Sequence, residues 1–222
     1  MDNAFDASAR QTMNSAMVPP RTPADQLKAA ALALFAQRGV DGVTVRQIAE
    51  AAGQKNHAAV GYHFGSKDEL VRQVIIHGAR LIDDLRNNLL DEMEARGGPH
   101  TLFDVADCLV RSSLPAADPP WSDCYNRFVV SLQLSNRRLF MDAMEGRWNS
   151  GYQRCLAHAR RLRPDVAPDL MNQRLVFMGA ALGGILSARE GELADKSRPH
   201  PTWTAPETLD RVAHALAAIL AG

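Results

Sequence analysis

The sequence predicts an all-α protein, a fold class indicated by its composition, by the spacing of its apolar residues and by its helix boundaries. Apolar residues make up 46% of the chain but aromatic residues only 6%, and the abundant Ala, Leu, Arg and Asp favour helix packing over sheets. Apolar residues recur three and four positions apart, and no segment alternates as a strand does. We expect about nine helices, divided between a three-helix N-terminal module and a larger helical domain.

Charge and cysteine content narrow the class of protein further. The 25 basic and 25 acidic residues balance, so any contact with a polyanion must be local. Cys108, Cys124 and Cys155 form no C-x-x-C pair, which argues against a disulfide framework and against a metal site. We therefore expect neither metal nor cofactor.

The N-terminal residues carry no targeting pattern. Residues 1–20 are small, polar and unpatterned, and we interpret them as a flexible tail, or as residues upstream of a start at Met17. They lack the apolar centre of a signal peptide, and no apolar run approaches the roughly 20 residues of a membrane span. We expect a cytoplasmic protein with no membrane partner.

Local signals place three short helices in residues 21–66, which we take as one domain. The first helix carries a single apolar stripe and stops at Gly39. Thr44 and Gln47 form a capping-box pattern that begins a second helix, which ends at Gly53. A third short helix follows that glycine.

Residues 67–222 are predicted to form the larger domain. Ser66 and Glu69 repeat the capping-box pattern and begin a long fourth helix. Thr204 and Glu207 form the same pattern ahead of the last helix. Between proline, glycine and asparagine breaks, the further helices are expected at about 101–113, 121–134, 137–162, 168–193 and 206–220.

The helix order in residues 21–66 is that of a helix-turn-helix, whose second member enters the major groove of DNA. Amide, basic and small side chains stand at the entry of the third helix, where recognition helices meet base edges. Polar and basic side chains at other helix ends are placed to contact phosphates. Any one of them alone is more often a solvated surface residue, but together they favour DNA binding. The candidates are Thr44, Arg46, Lys55, Asn56, His57, Ala58, Ala59, Tyr62, His63 and Lys67.

Two segments of this module resemble the signature of TetR-family transcription regulators. They are TVRQIAEAAG at residues 44–53 and VGYHFGSK at residues 60–67, and the likeness extends over about residues 24–75. Gly61 departs from the family pattern, which has a tyrosine there. The turn before the third helix is also one residue longer than usual, so the sequence leaves open whether Asn56 or His57 reads bases.

The resemblance implies a homodimer that binds a near-palindromic operator on double-stranded DNA. It implies repression of transcription until a small-molecule effector enters the C-terminal domain and moves the fourth helix. By the family pattern, Thr44, Tyr62, His63 and Lys67 contact phosphates, while residues 55–59 lie nearest the bases.

Aromatic and methionine side chains in the larger domain suggest a mostly apolar effector pocket, which the resemblance supports. Any one of these residues at helical spacing is more often part of an ordinary core, so the pocket prediction depends mainly on the resemblance. The candidate ligand-binding residues are Phe103, Trp121, Tyr125, Phe128, Met144, Trp148, Tyr152, Phe177 and Met178.

Glycines inside the penultimate long helix suggest close helix packing, because each costs about 0.8–1 kcal/mol relative to alanine. In the family, the last two helices of each subunit form the dimer interface. Close packing within the chain, or a kink, is the alternative. The candidate interface residues are Gly179, Gly183, Leu209, Val212, Leu216 and Ile219.

The sequence gives less support to two other classes of function. An enzyme is disfavoured, because the sequence contains no G-x-S-x-G, no H-E-x-x-H and no phosphate-binding glycine loop. An interaction protein that kept this fold without operator binding is favoured only by Gly61.

Overall fold

The computed structural model describes residues 22–114 and 120–222. The predicted tail, residues 1–20, lies outside them. Helices account for about three quarters of the described residues and no strand occurs among them, so the all-α prediction is confirmed. The helices are α1 (Pro23–Arg38), α2 (Val45–Ala51), α3 (Ala59–Phe64), α4 (Lys67–Ala95), α5 (Leu102–Ser112), α6 (Trp121–Ser135), α7 (Arg137–Met144), α8 (Ser150–Leu162), α9 (Pro168–Ala194), α10 (Pro201–Thr204) and α11 (Thr208–Ala221).

Local capping begins several of these helices. The Thr44 side chain accepts a hydrogen bond from the backbone N–H of Gln47, and the Gln47 side chain accepts one from the backbone of Thr44, which is the predicted capping box. The Ser66 hydroxyl accepts from the backbone N–H of Glu69 at 3.1 Å and so begins α4. At the end of α1, Gly39 has a φ of 71°, a conformation that favours glycine.

The predicted helix 137–162 is two helices, and the single-helix prediction is wrong. Glu145 and Trp148 have positive φ values of 47° and 56°, which end α7 and separate it from α8. The buried carboxylate of Asp83 on α4 accepts from the backbone N–H groups of Ser150 and Gly151, at 3.3 and 2.8 Å. A residue on another helix therefore supports the start of α8, so this helix start could not be predicted from a local sequence pattern.

The start of the last helix also differs from its prediction. The capping box of Thr204 and Glu207 does not form, because the Thr204 hydroxyl donates to the carbonyl of His200 within the short helix α10. Helix α11 begins at Thr208, whose hydroxyl donates to the carbonyl of Thr202.

Two apolar cores hold the chain together. The first joins α1–α3 to α4 and α6, and it includes the stacked rings of Phe35 and Phe128, whose centroids lie 6.0 Å apart. The second joins α5, α8, α9 and α11 around residues such as Leu109, Met178 and Leu216. The first core continues across residue 66, so the N-terminal module packs directly against the larger helical part.

None of the helices in residues 22–114 and 120–222 is both long and apolar enough to span a membrane.

Candidate nucleic-acid interface and ligand cavity

Buried apolar side chains hold α2 against α1 and α3 against α2 and α4, and a bonded turn joins α2 to α3. Ile48 and Val60 are buried in the first core. The backbone N–H of Gln54 donates to the carbonyl of Ala49 at 2.9 Å, and its side chain donates to Gln26 on α1 at 3.1 Å. The turn is thereby fixed relative to the rest of the module, which is what a groove-reading element requires.

Most of the predicted DNA-contacting residues share the outer surface of this module. Lys67 is partly exposed at the first turn of α4, and Ala59 is only 6% exposed and packs into the first core. Tyr62 is 85% exposed, and its ring meets that of His63 edge-on. The exposed members are Thr44, Arg46, Lys55, Asn56, His57, Ala58, Tyr62 and His63.

The residues predicted at the entry of the third helix precede it. Helix α3 begins at Ala59, so Lys55, Asn56 and His57 lie in the turn. The side-chain oxygen of Asn56 accepts from the backbone N–H of Ala58 at 2.9 Å, which shapes the turn. The Asn56 side chain therefore stabilises the turn through this hydrogen bond, and no such bond is found for His57 among the described residues.

One predicted contact is already paired. The Arg46 guanidinium lies 2.8 Å from the Glu50 carboxylate, one helical turn away, and this bond lowers the pKa of Glu50. Both side chains are exposed, and exposed pairs contribute little to stability. Arg46 can therefore exchange Glu50 for a phosphate at small cost.

The nine predicted ligand-binding residues do not line one cavity. Trp121, Tyr125 and Phe128 belong to the first core, and the Tyr125 hydroxyl donates to the carbonyl of Ile75 at 2.7 Å. Met178 belongs to the second core, while Phe177 is 56% exposed on the outside of α9. The others are distributed in the same way: Phe103 and Tyr152 pack on the second core, and Met144 packs on the first.

Trp148 differs from the other aromatic residues. It lies in the break between α7 and α8, with the guanidinium carbon of Arg80 5.0 Å from its ring centre. Its indole N–H is buried and has no hydrogen-bond partner in the described residues.

A cavity of about 620 Å³ lies between α1, α6 and α9, and none of the nine predicted residues lines it. Its walls combine apolar side chains with polar and charged ones. The lining residues are Ala33, Gln37, Leu114, Pro120, Ser122, Asp123, Cys124, Arg127, Arg189, Glu190, Leu193, Ala194, Lys196 and Leu209. The sequence signal for it is the adjacent pair of charged residues, Arg189 and Glu190, which follows the apolar middle of α9.

The carboxylate of Glu190 links two walls of this cavity. It is 2% exposed and accepts from the backbone N–H groups of Asn126 and Arg127, at 3.1 and 2.7 Å, and from the Asn126 side chain at 2.8 Å. Burial raises the pKa of Glu190, while these hydrogen bonds oppose that rise.

The predicted interface residues face largely inward. A side chain at Gly179 would meet the Tyr152 hydroxyl at 2.9 Å, and one at Gly183 would meet Val130 at 3.3 Å. Val212 and Leu216 are buried in the second core, against which Leu209 and Ile219 also pack. The glycines thus allow close packing within the chain, and other residues form the outer surface of α9.

That outer surface of α9 is apolar. Leu170, Val176 and Phe177 are 44%, 69% and 56% exposed, and Ala180 and Gly184 continue the exposed face along the helix. Large exposed apolar side chains in one row typically mark a contact surface.

Residues 27–74 match the family described as bacterial regulatory proteins, tetR family. No curated protein matches the chain. A solved structure described as a tetR family transcription regulator from Shewanella sp. PV-4 has a TM-score of 0.56 at 17% identity, over 89% of this chain and 96% of its own.

Two further solved structures are similar over most of their length. A transcriptional regulator from Rhodococcus sp. Rha1 has a TM-score of 0.54 at 19% identity, over 90% of this chain and 96% of its own. A protein titled superantigen pfit has a TM-score of 0.55 at 17% identity, over 95% of each chain. At these identities the likeness shows the fold alone, whereas the family match concerns the sequence of the helix-turn-helix. The helix-turn-helix sequence therefore matches the tetR family over residues 27–74, and the chain has the fold of solved transcription regulators such as the one from Shewanella sp. PV-4.

Proposed function

We propose that the chain is a ligand-responsive repressor that binds a palindromic operator as a homodimer and leaves it when a small, mostly apolar effector binds. The observation that carries this proposal is the tetR-family match at residues 27–74, over a module in which most of the candidate DNA-contacting side chains are exposed. A net charge of zero is compatible with it, because the basic side chains of the module act locally.

The contacts divide between phosphates and bases. Thr44 and Lys67 stand at the N-terminal ends of α2 and α4, where backbone N–H groups and the helix dipole favour an anion. Tyr62, near the C-terminal end of α3, is 85% exposed and can donate its hydroxyl to a phosphate. Lys55 and His57 lie in the turn before α3 and are free to meet base edges. Because the Asn56 oxygen shapes the turn, we favour His57 over Asn56 as the base-reading residue.

A phosphate role for Lys67 predicts a loss of affinity that is independent of sequence. Lys67→Ala should weaken binding to all DNA sequences and lower the slope of log affinity against log salt by about one. Fluorescence anisotropy with the gene's own upstream DNA, over a salt series, measures both. Arg138→Ala is the matched control, because it removes a 92% exposed positive charge outside the module. Loss of discrimination at one base pair, with an unchanged salt slope, contradicts the phosphate role.

The proposed dimer uses the outer surface of α9. The inward-facing Gly179 and Gly183 allow the helix to pack closely on its own chain, so we assign the partner contact to Leu170, Val176 and Phe177. This surface lies on one of the two helices that the family resemblance implies.

Phe177→Asp should convert the dimer to monomers at micromolar concentration, because a carboxylate would be buried without a partner in the interface. Sedimentation velocity measures the change. The control is Leu134→Asp, which alters a leucine that is 85% exposed on α6. An intact dimer in the Phe177 variant, or monomers in both variants, excludes this surface.

Release requires two arrangements of the dimer with different spacing of the DNA-reading modules. Recognition helices must lie about 34–36 Å apart, or at a multiple of that separation, to enter successive major grooves. Helix α4 runs from the module past α5 and α8 and so transmits displacement in the body. A coupling free energy of about 1–3 kcal/mol between the effector site and the DNA site gives a 5- to 150-fold loss of operator affinity when the effector binds. Because this coupling is reciprocal, operator DNA must weaken effector binding by the same factor.

The alternative is an interaction protein that shares the fold without binding an operator. Gly61 favours it, since no side chain extends there from the outer face of α3. Absence of specific retardation of upstream DNA at modest salt would support this alternative.

A further inference from the structure

The cavity between α1, α6 and α9 is lined by three cationic side chains, Arg127, Arg189 and Lys196. The Nε atoms of Arg127 and Arg189 are buried, and neither has a hydrogen-bond partner in the described part of the chain. A buried, charged donor without an acceptor is costly in free energy. Two such donors in one cavity indicate a missing acceptor.

The acidic side chains of the cavity do not fill that role. Glu190 is occupied by the backbone N–H groups of α6, and the Asp123 carboxylate accepts from the Ser122 hydroxyl at 2.8 Å. Neither forms an ion pair with Arg127 or Arg189 within the described residues. Burial raises the pKa of the Cys124 thiol to about 12, so the cysteine stays neutral and supplies no negative charge.

Apart from the polar Gln37 and Ser122, the remaining walls are apolar. Ala33, Leu114, Leu193 and Leu209 contribute them, and the volume of about 620 Å³ lies in the range of drug-sized ligand sites. The cavity therefore offers an apolar surface together with two unpaired guanidinium donors. A ligand with an anionic group on an apolar body would complement both the apolar surface and the two donors.

We propose that this cavity binds an effector with a carboxylate group on an apolar body, and that Arg127 and Arg189 bind the carboxylate. This inference rests on the proposed function and specifies the chemical class of its effector. Guanidinium and carboxylate are geometrically matched, and their charge-assisted hydrogen bonds are among the strongest in proteins.

The position of the cavity gives the effector a direct contact with the DNA-binding module. Ala33 and Gln37 lie on α1, which also packs against α2 and α4 and buries Phe35 in the first core. A ligand between α1 and α6 therefore touches the module itself. This route differs from displacement of α4, because it acts on the helix that supports α2 and the turn.

Matched ligands test the chemical class. Isothermal titration calorimetry on the DNA-free protein compares phenylbutyrate, phenylbutanamide and phenylbutylamine, and then decanoate and naphthoate with their amides and amines. In at least one series we expect the carboxylate to bind about tenfold to a hundredfold more tightly than its amide, with still weaker binding of the amine. Equal or tighter binding of the amide or amine in every series, or no binding of any carboxylate at millimolar concentration, overturns the inference.

Variants locate the site. Arg127→Met and Arg189→Met keep the apolar stems and remove the guanidinium groups, and each should abolish the preference for the carboxylate. Arg138→Met, outside the cavity, should retain it. Circular dichroism and operator affinity without ligand establish that each variant is folded. A folded Arg127 or Arg189 variant that keeps the preference contradicts the assignment.

Ligand binding and DNA release are measured separately, so the cavity assignment and the release mechanism can be contradicted independently. A carboxylate that binds through Arg127 and Arg189 but leaves operator affinity unchanged supports the site and counts against the proposed release mechanism. DNA release by ligands that retain full potency in both arginine variants supports the release mechanism and counts against this cavity.

Discussion

Gly61 departs from the TetR-family pattern that this helix-turn-helix resembles, and the structure gives it no packing role. A Cβ atom there would have no neighbour within 4 Å, and the backbone is helical. Glycine lowers helix stability because its unfolded chain is unusually free. Gly61→Ala should therefore raise the free energy of unfolding by about 0.5–1 kcal/mol, measured by urea denaturation.

Gly65 is the matched control for that substitution. A Cβ atom at Gly65 would likewise have no neighbour within 4 Å, but the φ of this residue is 75°, which L side chains rarely adopt. Gly65→Ala should destabilise the protein by about 1–2 kcal/mol. If both substitutions shift stability in the same direction, backbone conformation is not what distinguishes the two positions.

The boundary between α7 and α8 depends on Asp83, which lies on a different helix. Its carboxylate accepts from two backbone N–H groups and from the Ser150 hydroxyl, and it is buried. Asp83→Ala should cost about 1–3 kcal/mol, because these donors would lose their acceptor in a buried place. Urea denaturation measures the loss.

Asp84 provides the comparison for Asp83. It is adjacent in sequence but exposed, and Asp84→Ala should change the stability by less than about 0.5 kcal/mol. Asp83→Asn should fall between the two alanine variants, since it keeps one acceptor oxygen. Equal effects of the two alanine substitutions would show that the carboxylate of Asp83 does not support α8.

The helices that were predicted correctly are those whose ends are set by neighbouring residues. Thr44 and Gln47 are three residues apart, and their capping box forms as predicted. The start of α8 depends on Asp83, and Thr208 bonds outside its own helix, so neither boundary has a local pattern. Sequence periodicity also marks residues such as Val212 as one apolar face, but it does not tell a core face from a subunit contact.

Over the whole molecule, the fold class and the DNA-binding module follow from the sequence, whereas the cavity does not. The module is continuous in sequence and its turn is fixed by nearby bonds such as that of Asn56 to Ala58. The cavity brings Ala33, Arg127 and Arg189 together from three helices that are distant in sequence. The ligand-binding residues were predicted from aromatic and methionine content, which selected residues such as Tyr125 that the structure places in the cores.

The central claim is that two copies of the module read two half-sites on one face of DNA. Selection of bound sequences from a random DNA pool by the full-length protein tests it directly. The claim predicts an enriched inverted repeat whose half-sites have centres about 10–10.5 base pairs apart, or a multiple of that spacing. Recovery of a single unrepeated element, or of no enriched sequence at a salt concentration that still permits binding, would contradict it.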